Sequence, residues 1–395
     1  MNLSNVPAIR DWLLTVPHVE DSAASLISGL VELLRAHGLP LWRASGSLMT
    51  KHPELVWRTV QWTAEGGVKA IDRSRAMLDA PFFRRSPIAL LRRGAAPIRV
   101  RLTGGALPFP ICEDLRAAGG TDYFAQGLAC TTGEISYLSW ATRDPAGFSD
   151  DALAALTALS PYLAQRIELE SAYHSTRALL EVYLGRNAGR RVAAGGVQRG
   201  AGELIEAAIW FCDLRGFGSL SDERTPQAVL ETLDEYFDCI ATAVMDGGGE
   251  VLKLTGDAVV AMFPAADDAP AACRRALAAA QRALAALEQV NTSRAARSEL
   301  PLAIGVALHL GQVMYGNIGA RDRLDFTVIS SAVNEACRLE ALGKTLHTSL
   351  ALSQAFVDAA RPDAVIDLGL HALKGVRAPL RVFTLGTVSV SSRSG

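Results

Sequence analysis

The stretch EVLKLTGDAVVAMFP, Glu250 to Pro264, decides the fold. Apolar residues fill both ends, while Lys253, Thr255, Gly256 and Asp257 interrupt the middle. This pattern predicts two short strands about a tight Thr255-Gly256-Asp257 turn. Upstream, AAIWFCDL reads as a buried strand and Thr225 to Met245 as a helix, closed by a DGGG turn. Downstream come a long Ala-rich helix, the strand LAIGVALHLG and the helix SAVNEACRLEALG. The order βαββαβ predicts an α+β domain, a ferredoxin-like sheet with helices packed on one face.

Three further regions surround this domain. Residues 1–150 mix helical patterns (Val19 to His37) with strand-like pieces such as PIRVRL and EISYLSW. Residues 151–203 hold a helical pattern and a Gly/Arg-rich stretch, GRNAGRRVAAGGVQRGAGE, that reads as a linker. The helix is expected to open at the N-cap Ser149 and to run to about Leu184. Its apolar stripe is Leu156, Leu159, Leu163 and Ile167, and Pro161 is a place to bend. The folded domain takes 204–388, and the Ser-rich tail 389–395 is expected to be disordered.

Composition narrows the function classes. The chain has 395 residues, 49% of them hydrophobic, and a formal net charge of -2. It carries no basic footprint for nucleic acid. Six cysteines stand without CxxC spacing, as expected of reduced thiols in a cytoplasmic protein. Neither a signal peptide nor a membrane-spanning run is expected.

Chemistry points to two aspartates. Asp213 ends the first strand and Asp257 sits at the hairpin tip, so neighbouring strands would bring both to one sheet edge. Two carboxylates about 4 Å apart repel by roughly 4 kcal/mol at an effective dielectric of about 20. Mg²⁺ or Mn²⁺ with oxygen ligands is the usual counter-charge, and a pair of such ions can activate an attacking oxygen and stabilise phosphate charge. Taken singly, each aspartate is better read as a turn residue or cap.

The segments FCDLRGFGSL, EYFDCIATAVMDGGGEVLKLTGDAVVAMFP, GVALHLGQVMYGNIG and DFTVISSAVNEACRLE, in that order, resemble the catalytic domain of class III adenylate and guanylate cyclases. The resemblance covers essentially all of 204–385. It implies that Asp213 and Asp257, with the Leu214 carbonyl, hold two Mg²⁺ or Mn²⁺ ions. It implies that Lys253 and Thr327 read the purine and that Lys374 contacts the terminal phosphates. Asn334 and Arg338 match the pair that orients the ribose and meets charge on the α-phosphate. Ser330 departs from the glycine common in relatives at that place and touches none of these roles. In this family the sites form at a head-to-tail dimer interface. Asp257 and Lys253 of one hairpin would then serve two different sites, as a two-fold pair requires. Without the resemblance, Lys253 reads as an exposed strand lysine and Arg338 as a helix-surface arginine.

Adenine presents a bare N1 acceptor and an N6 donor, whereas guanine presents N1–H and O6. A lysine only donates, so Lys253 suits adenine, and the Thr327 hydroxyl can accept from N6. ATP is the expected substrate, cyclised to 3',5'-cyclic AMP and pyrophosphate by a homodimer. The alternatives are a guanylate cyclase or a catalytically silent nucleotide-binding protein. No organic cofactor is expected.

The stretch RAAGGTDYFAQGLACTTGEISYLSWATRDPAGFSDD and the helix after it resemble the second half of a GAF-type sensor domain. That implies an α/β sensor passing its signal through the connecting helix. Trp42, Trp57 and Trp62 with His52 are candidates to line a small-molecule pocket there, although core packing is the commoner role for such aromatics.

Overall fold

A computed structural model describes residues 1–18, 22–196, 198–376 and 378–386, so the tail at 389–395 lies outside the described residues. The chain divides into two compact units, Met1–Leu179 and Leu180–Gly395.

The first unit is built on six antiparallel strands: β1 (Arg43–Met49), β2 (Leu55–Thr63), β3 (Gly67–Ser74), β4 (Ile98–Arg101), β5 (Asp122–Ala129) and β6 (Ile135–Thr142). Their order is β3-β2-β1-β6-β5-β4. Its helices are α1 (Val6–Thr15), α2 (Ser22–Ala36), the short α3 (Pro81–Arg84) and α4 (Pro87–Leu91), α5 (Pro110–Ala117), α6 (Asp150–Ala158) and α7 (Ser160–Leu184). Side chains alternate across a strand, so the sheet has two distinct faces. Leu48, Val60, Trp62, Leu138 and Trp140 pack under α1, α2, α6 and α7. On the other face Tyr123 and Tyr137 meet Leu91 of α4 and Cys112 of α5.

Two expectations for this half are corrected. The single helix from Ser149 is two helices. Ser149 does cap α6, its Oγ accepting from the Ala152 N–H at 3.2 Å. The helix then breaks at Leu159, next to Pro161, which has no N–H to continue the ladder. The stripe Leu156, Leu159, Leu163 and Ile167 is buried in the unit's own core and is not available to pair with a second helix. The apolar side chains that α7 does expose are Leu169, Tyr173, Val182 and Tyr183. Trp42, Trp57 and Trp62 enter three separate clusters. His52 Nδ1 accepts from the Glu54 and Leu55 N–H groups at a turn. These four residues do not share a pocket.

The second unit carries α8 (Arg186–Ala193), β7 (Gly202–Leu214), α9 (Phe217–Glu223), α10 (Pro226–Asp246), β8 (Glu250–Thr255), β9 (Ala258–Pro264), α11 (Ala269–Ala296), β10 (Ile304–Ala320), β11 (Arg323–Ile329), α12 (Ser331–Thr345), β12 (Leu350–Ser353), α13 (Gln354–Ala360), β13 (Val365–His371) and β14 (Leu380–Leu385). The sheet order is β13-β14-β12-β10-β7-β9-β8, with β11 paired to β10. Strands β10-β7-β9-β8 reproduce the order of a ferredoxin-like βαββαβ unit. Trp210, Cys212, Val259 and Phe263 pack beneath α10, α11 and α13.

The expectation of helices on one face is corrected here. Ala207, Ile209 and Met262 point the other way and are covered by Ala188 of α8 and Ala332 and Ala336 of α12. The segment read as a Gly/Arg linker therefore contains a packed helix. The cause is long-range. Gly185 precedes α8 at φ 87 and has no side chain to cap it. Glu250, from the start of β8 and 4% exposed, takes that role. Its carboxylate accepts from the Ala188 N–H at 3.2 Å, Asn187 Nδ2 at 3.1 Å and the Tyr315 hydroxyl at 2.9 Å. A carboxylate at a helix N-terminus is stabilised by the helix dipole as well as by these bonds. Gly189 lets α8 fold back, since a Cβ there would lie 2.6 Å from the Glu181 nitrogen.

No helix among the described residues is long and apolar enough to cross a membrane.

Candidate active site

The hairpin forms as its sequence demands. Thr255 pairs with Ala258, leaving Gly256 and Asp257 as a two-residue loop. Gly256 takes φ 63, and Asp257 is not left-handed. Only the first central residue needs positive φ in such a turn, and glycine supplies it without strain. β9 pairs with β7 through Cys212↔Val259, so Asp213 and the hairpin tip fall side by side.

Asp213 and Asp257 are hydrogen-bond neighbours, both half-buried. Burial first, and then the Asp257 carboxylate, push the Asp213 carboxyl above its usual range. Beneath them lies Tyr236, fully buried, its hydroxyl 3.5 Å from Cys212 Sγ. Arg215 is the nearby cation, and its charge favours ionised Asp213. It is engaged elsewhere, however, with Nη1 2.9 Å from Glu340 Oε1. Gly305 makes room for that contact, because a Cβ there would overlap both partners. Two carboxyl groups thus share a half-buried corner with one cation, and that guanidinium is held by Glu340. Two carboxylates, with the backbone carbonyl of the buried Leu214 next along the chain, would offer a hard oxygen donor set. That set fits Mg²⁺ or Mn²⁺. Among the described residues no group of three or more His, Cys, Asp and Glu side chains is arranged for a metal, so any ion there relies on few protein ligands.

The remaining expected residues fall into three other places. Lys253, exposed on β8, reaches across to β11, its Nζ 3.2 Å from Asp325 Oδ2. Thr327 stands two residues beyond Asp325 on the same strand and so on the same side. Asn334 and Arg338 are one turn apart on α12 and both exposed. Ser330 caps that helix, its Oγ accepting from the Val333 N–H at 3.3 Å, with extended backbone at φ -171. Lys374 is exposed between β13 and β14. One chain therefore brings the two aspartates together and collects Lys253 and Thr327 separately.

Sequence reasoning missed three participants. Asp325 is legible afterwards from the strand period of two, counted back from Thr327. Arg215 follows Asp213 directly but gave no signal of its pairing with Glu340. Glu250 looked like the polar start of a strand.

Residues 201–363 match the family described as adenylate and guanylate cyclase catalytic domain. An adenylate cyclase of Anabaena cylindrica is 34% identical over 165 residues, 41% of this chain and 32% of that protein. Adenylate cyclase 1 of Rhizobium meliloti is 35% identical over 156 residues, 38% of this chain and 23% of that protein. The chain thus spans about a third or less of the length of these relatives. Among solved structures, the adenylyl cyclase CyaB from P. aeruginosa aligns at 24% identity and a TM-score of 0.44, covering 47% of this chain and 96% of that one. The matched residues 201–363 all lie within the second unit.

Proposed function

We propose that the chain is an adenylate cyclase that converts ATP to 3',5'-cyclic AMP and pyrophosphate at sites shared between two copies. The observation that carries this reading is the half-buried Asp213–Asp257 pair, whose neighbouring Arg215 is held by Glu340, with Asp257 on the hairpin that also holds Lys253. Asp213, Asp257 and the Leu214 carbonyl would hold the divalent ions. Bound there, such ions supply positive charge that acidifies the ribose 3'-hydroxyl and neutralises the polyphosphate.

The rest is work for side chains. Lys253 donates to adenine N1 while Asp325 fixes its ammonium. The Thr327 hydroxyl accepts from N6. Asn334 orients the ribose, and Arg338 meets the charge that grows on the α-phosphate as the 3'-oxygen attacks and pyrophosphate leaves. Lys374 binds the terminal phosphates. The exposure of Asn334, Arg338 and Lys374 in a single chain supports their use by a second copy, whose acidic pair they would face. The sheet of the first unit, six antiparallel strands with helices on both faces, supports a GAF-type sensor regulating this activity through the connecting helices.

Incubating the purified chain with Mn²⁺ and either ATP or GTP, and identifying product by mass, tests the reading. Cyclic AMP from ATP is expected, with little cyclic GMP. Preference for GTP would reverse the substrate, and no cyclic product from either would remove the activity.

A further inference from the structure

Arg215 is paired in the second unit without being firmly bonded. It follows Asp213 and Leu214 at the end of β7, and its guanidinium meets Glu340, a 5%-exposed residue of α12. Nη1 lies 2.9 Å from Oε1, yet neither atom makes a hydrogen bond among the described residues. Nη2 donates to the Thr348 carbonyl at the long distance of 3.5 Å. The strong form of an arginine–carboxylate pair has two parallel, aligned N–H···O bonds. Charge, rather than aligned bonding, holds this one.

The other carboxylate within its reach is Asp213. Gly305 of β10 stands directly opposite Asp213 in the sheet, and a Cβ there would overlap both the guanidinium and the Glu340 carboxylate. Opposite residues of antiparallel strands share a face and have Cα atoms about 4.5–5.5 Å apart. The guanidinium therefore rests within a side-chain swing of the Asp213 carboxylate, and its charge already acts there. Burial opposes ionisation of Glu340, as do Asp213 and Asp257, whereas Arg215 and Lys344 favour it. Asp213 and Glu340 thus compete for one guanidinium.

We propose that Glu340 is a positioning residue for the metal site: by holding Arg215 over Gly305, it keeps the Asp213 oxygens open to a divalent cation. A guanidinium turned onto Asp213 would occupy those oxygens with its own N–H groups and add positive charge where the ion binds. Among the described residues no third acidic side chain joins Asp213 and Asp257 as a ligand group, so Glu340 acts through Arg215 and not on the ion. This role rests on the proposed binding of a divalent ion by Asp213 and Asp257.

Mn²⁺ titration of the full chain without nucleotide tests it, read from the electron paramagnetic resonance signal of free Mn²⁺ at about pH 8, where carboxylates are ionised. Glu340→Gln should weaken Mn²⁺ binding about tenfold, since it keeps the shape of the side chain but gives up the charge that holds Arg215. Arg215→Met alone should change binding by less than about threefold, and adding it to Glu340→Gln should return binding to the wild-type level, so the two substitutions are strongly non-additive. A merely structural pair predicts the reverse, a double variant at least as impaired as either single one. If Arg215→Met does not fold because it leaves Glu340 buried and unpaired, the double variant, which removes both charges, decides alone. A wild-type chain that binds no Mn²⁺ would overturn the metal site and this role together. Wild-type binding that Glu340→Gln leaves unchanged, that the double variant fails to restore, or that the two substitutions alter additively would overturn the role of Glu340 and leave the metal site standing.

Discussion

Each unit of this molecule places like charges on a sheet and leaves them without a full counter-charge, but the signs are opposite. In the second unit the charges are the Asp213 and Asp257 carboxylates, at a strand end and a hairpin tip. In the first they are the guanidinia of Arg43, the first residue of β1, and of Arg73 on the edge strand β3, set toward opposite ends of the sheet. Charge that is partly removed from water is costly to leave without a partner. The acidic pair also sits among motifs of fixed order, so its partner ions and substrate can be argued. The two arginines have no such motif around them.

The comparison can be broken most forcefully on the acidic side. Asp213→Ala or Asp257→Ala should reduce cyclic AMP formation by about 10³-fold or more, since the loss removes ion binding and transition-state charge together. Far-ultraviolet circular dichroism should stay unchanged, and near-normal turnover in either variant would end the metal assignment. Arg338→Ala should cost roughly 10²–10³-fold in kcat, the scale for one transition-state charge stabiliser, with KM for ATP little moved. Lys253→Met, which keeps the stem and removes the charge, should cost about 10–100-fold in kcat/KM for ATP, the worth of one charged hydrogen bond. An equal loss for GTP would show that Lys253 does not read the base.

Stability sharpens the same comparison with smaller effects. Because the folded domain raises Asp213 above its unfolded value, it binds that proton more tightly than the unfolded chain does. This contribution is present at low pH and lost as pH rises from about 4, the ordinary aspartate value, through the raised folded value. Asp257→Asn should flatten that loss in metal-free protein and raise its stability by about 1 kcal/mol, a figure kept small because both groups are partly hydrated. Chemical denaturation followed across pH in the presence of chelator reads it. A steeper loss in the variant would contradict the like-charge account. Glu250→Gln should weaken the second unit by about 1–3 kcal/mol, since it removes a charged acceptor that serves Ala188, Asn187 and Tyr315. No change in the denaturation midpoint would mean that α8 is held by Ala188 and its apolar neighbours alone.

What the sequence disclosed follows physical lines. The Gly256-Asp257 hairpin, the helix over Pro226–Asp246 and the β7 strand were readable because local period and turn chemistry agree there with the final packing. The candidate site residues came from the order of the motifs that resemble the cyclase family, and in the structure Asp213 neighbours Asp257 and Lys253 reaches the strand of Thr327. Helix α8 was not readable. Its sequence is rich in glycine and arginine, and its cap comes from Glu250, more than sixty residues away along the chain. The apolar stripe of α6 and α7 was seen correctly, but periodicity says only that a face is buried, not against what. Here the unit's own sheet takes it. The three tryptophans looked like one site because they are close in sequence, whereas strand alternation sends Trp57 and Trp62 to opposite faces.

The central claim is that one copy's acidic pair works with another copy's Lys253, Asn334 and Arg338. Mixing an Asp257→Ala chain with an Arg338→Ala chain tests it most directly. Each alone should be nearly inactive, while a heterodimer holds one site with both residues intact. The account predicts that cyclic AMP formation returns on mixing, rising with the fraction of heterodimer toward half of the wild-type rate. A mixture shown to contain heterodimers that stays as inactive as its parents would contradict it.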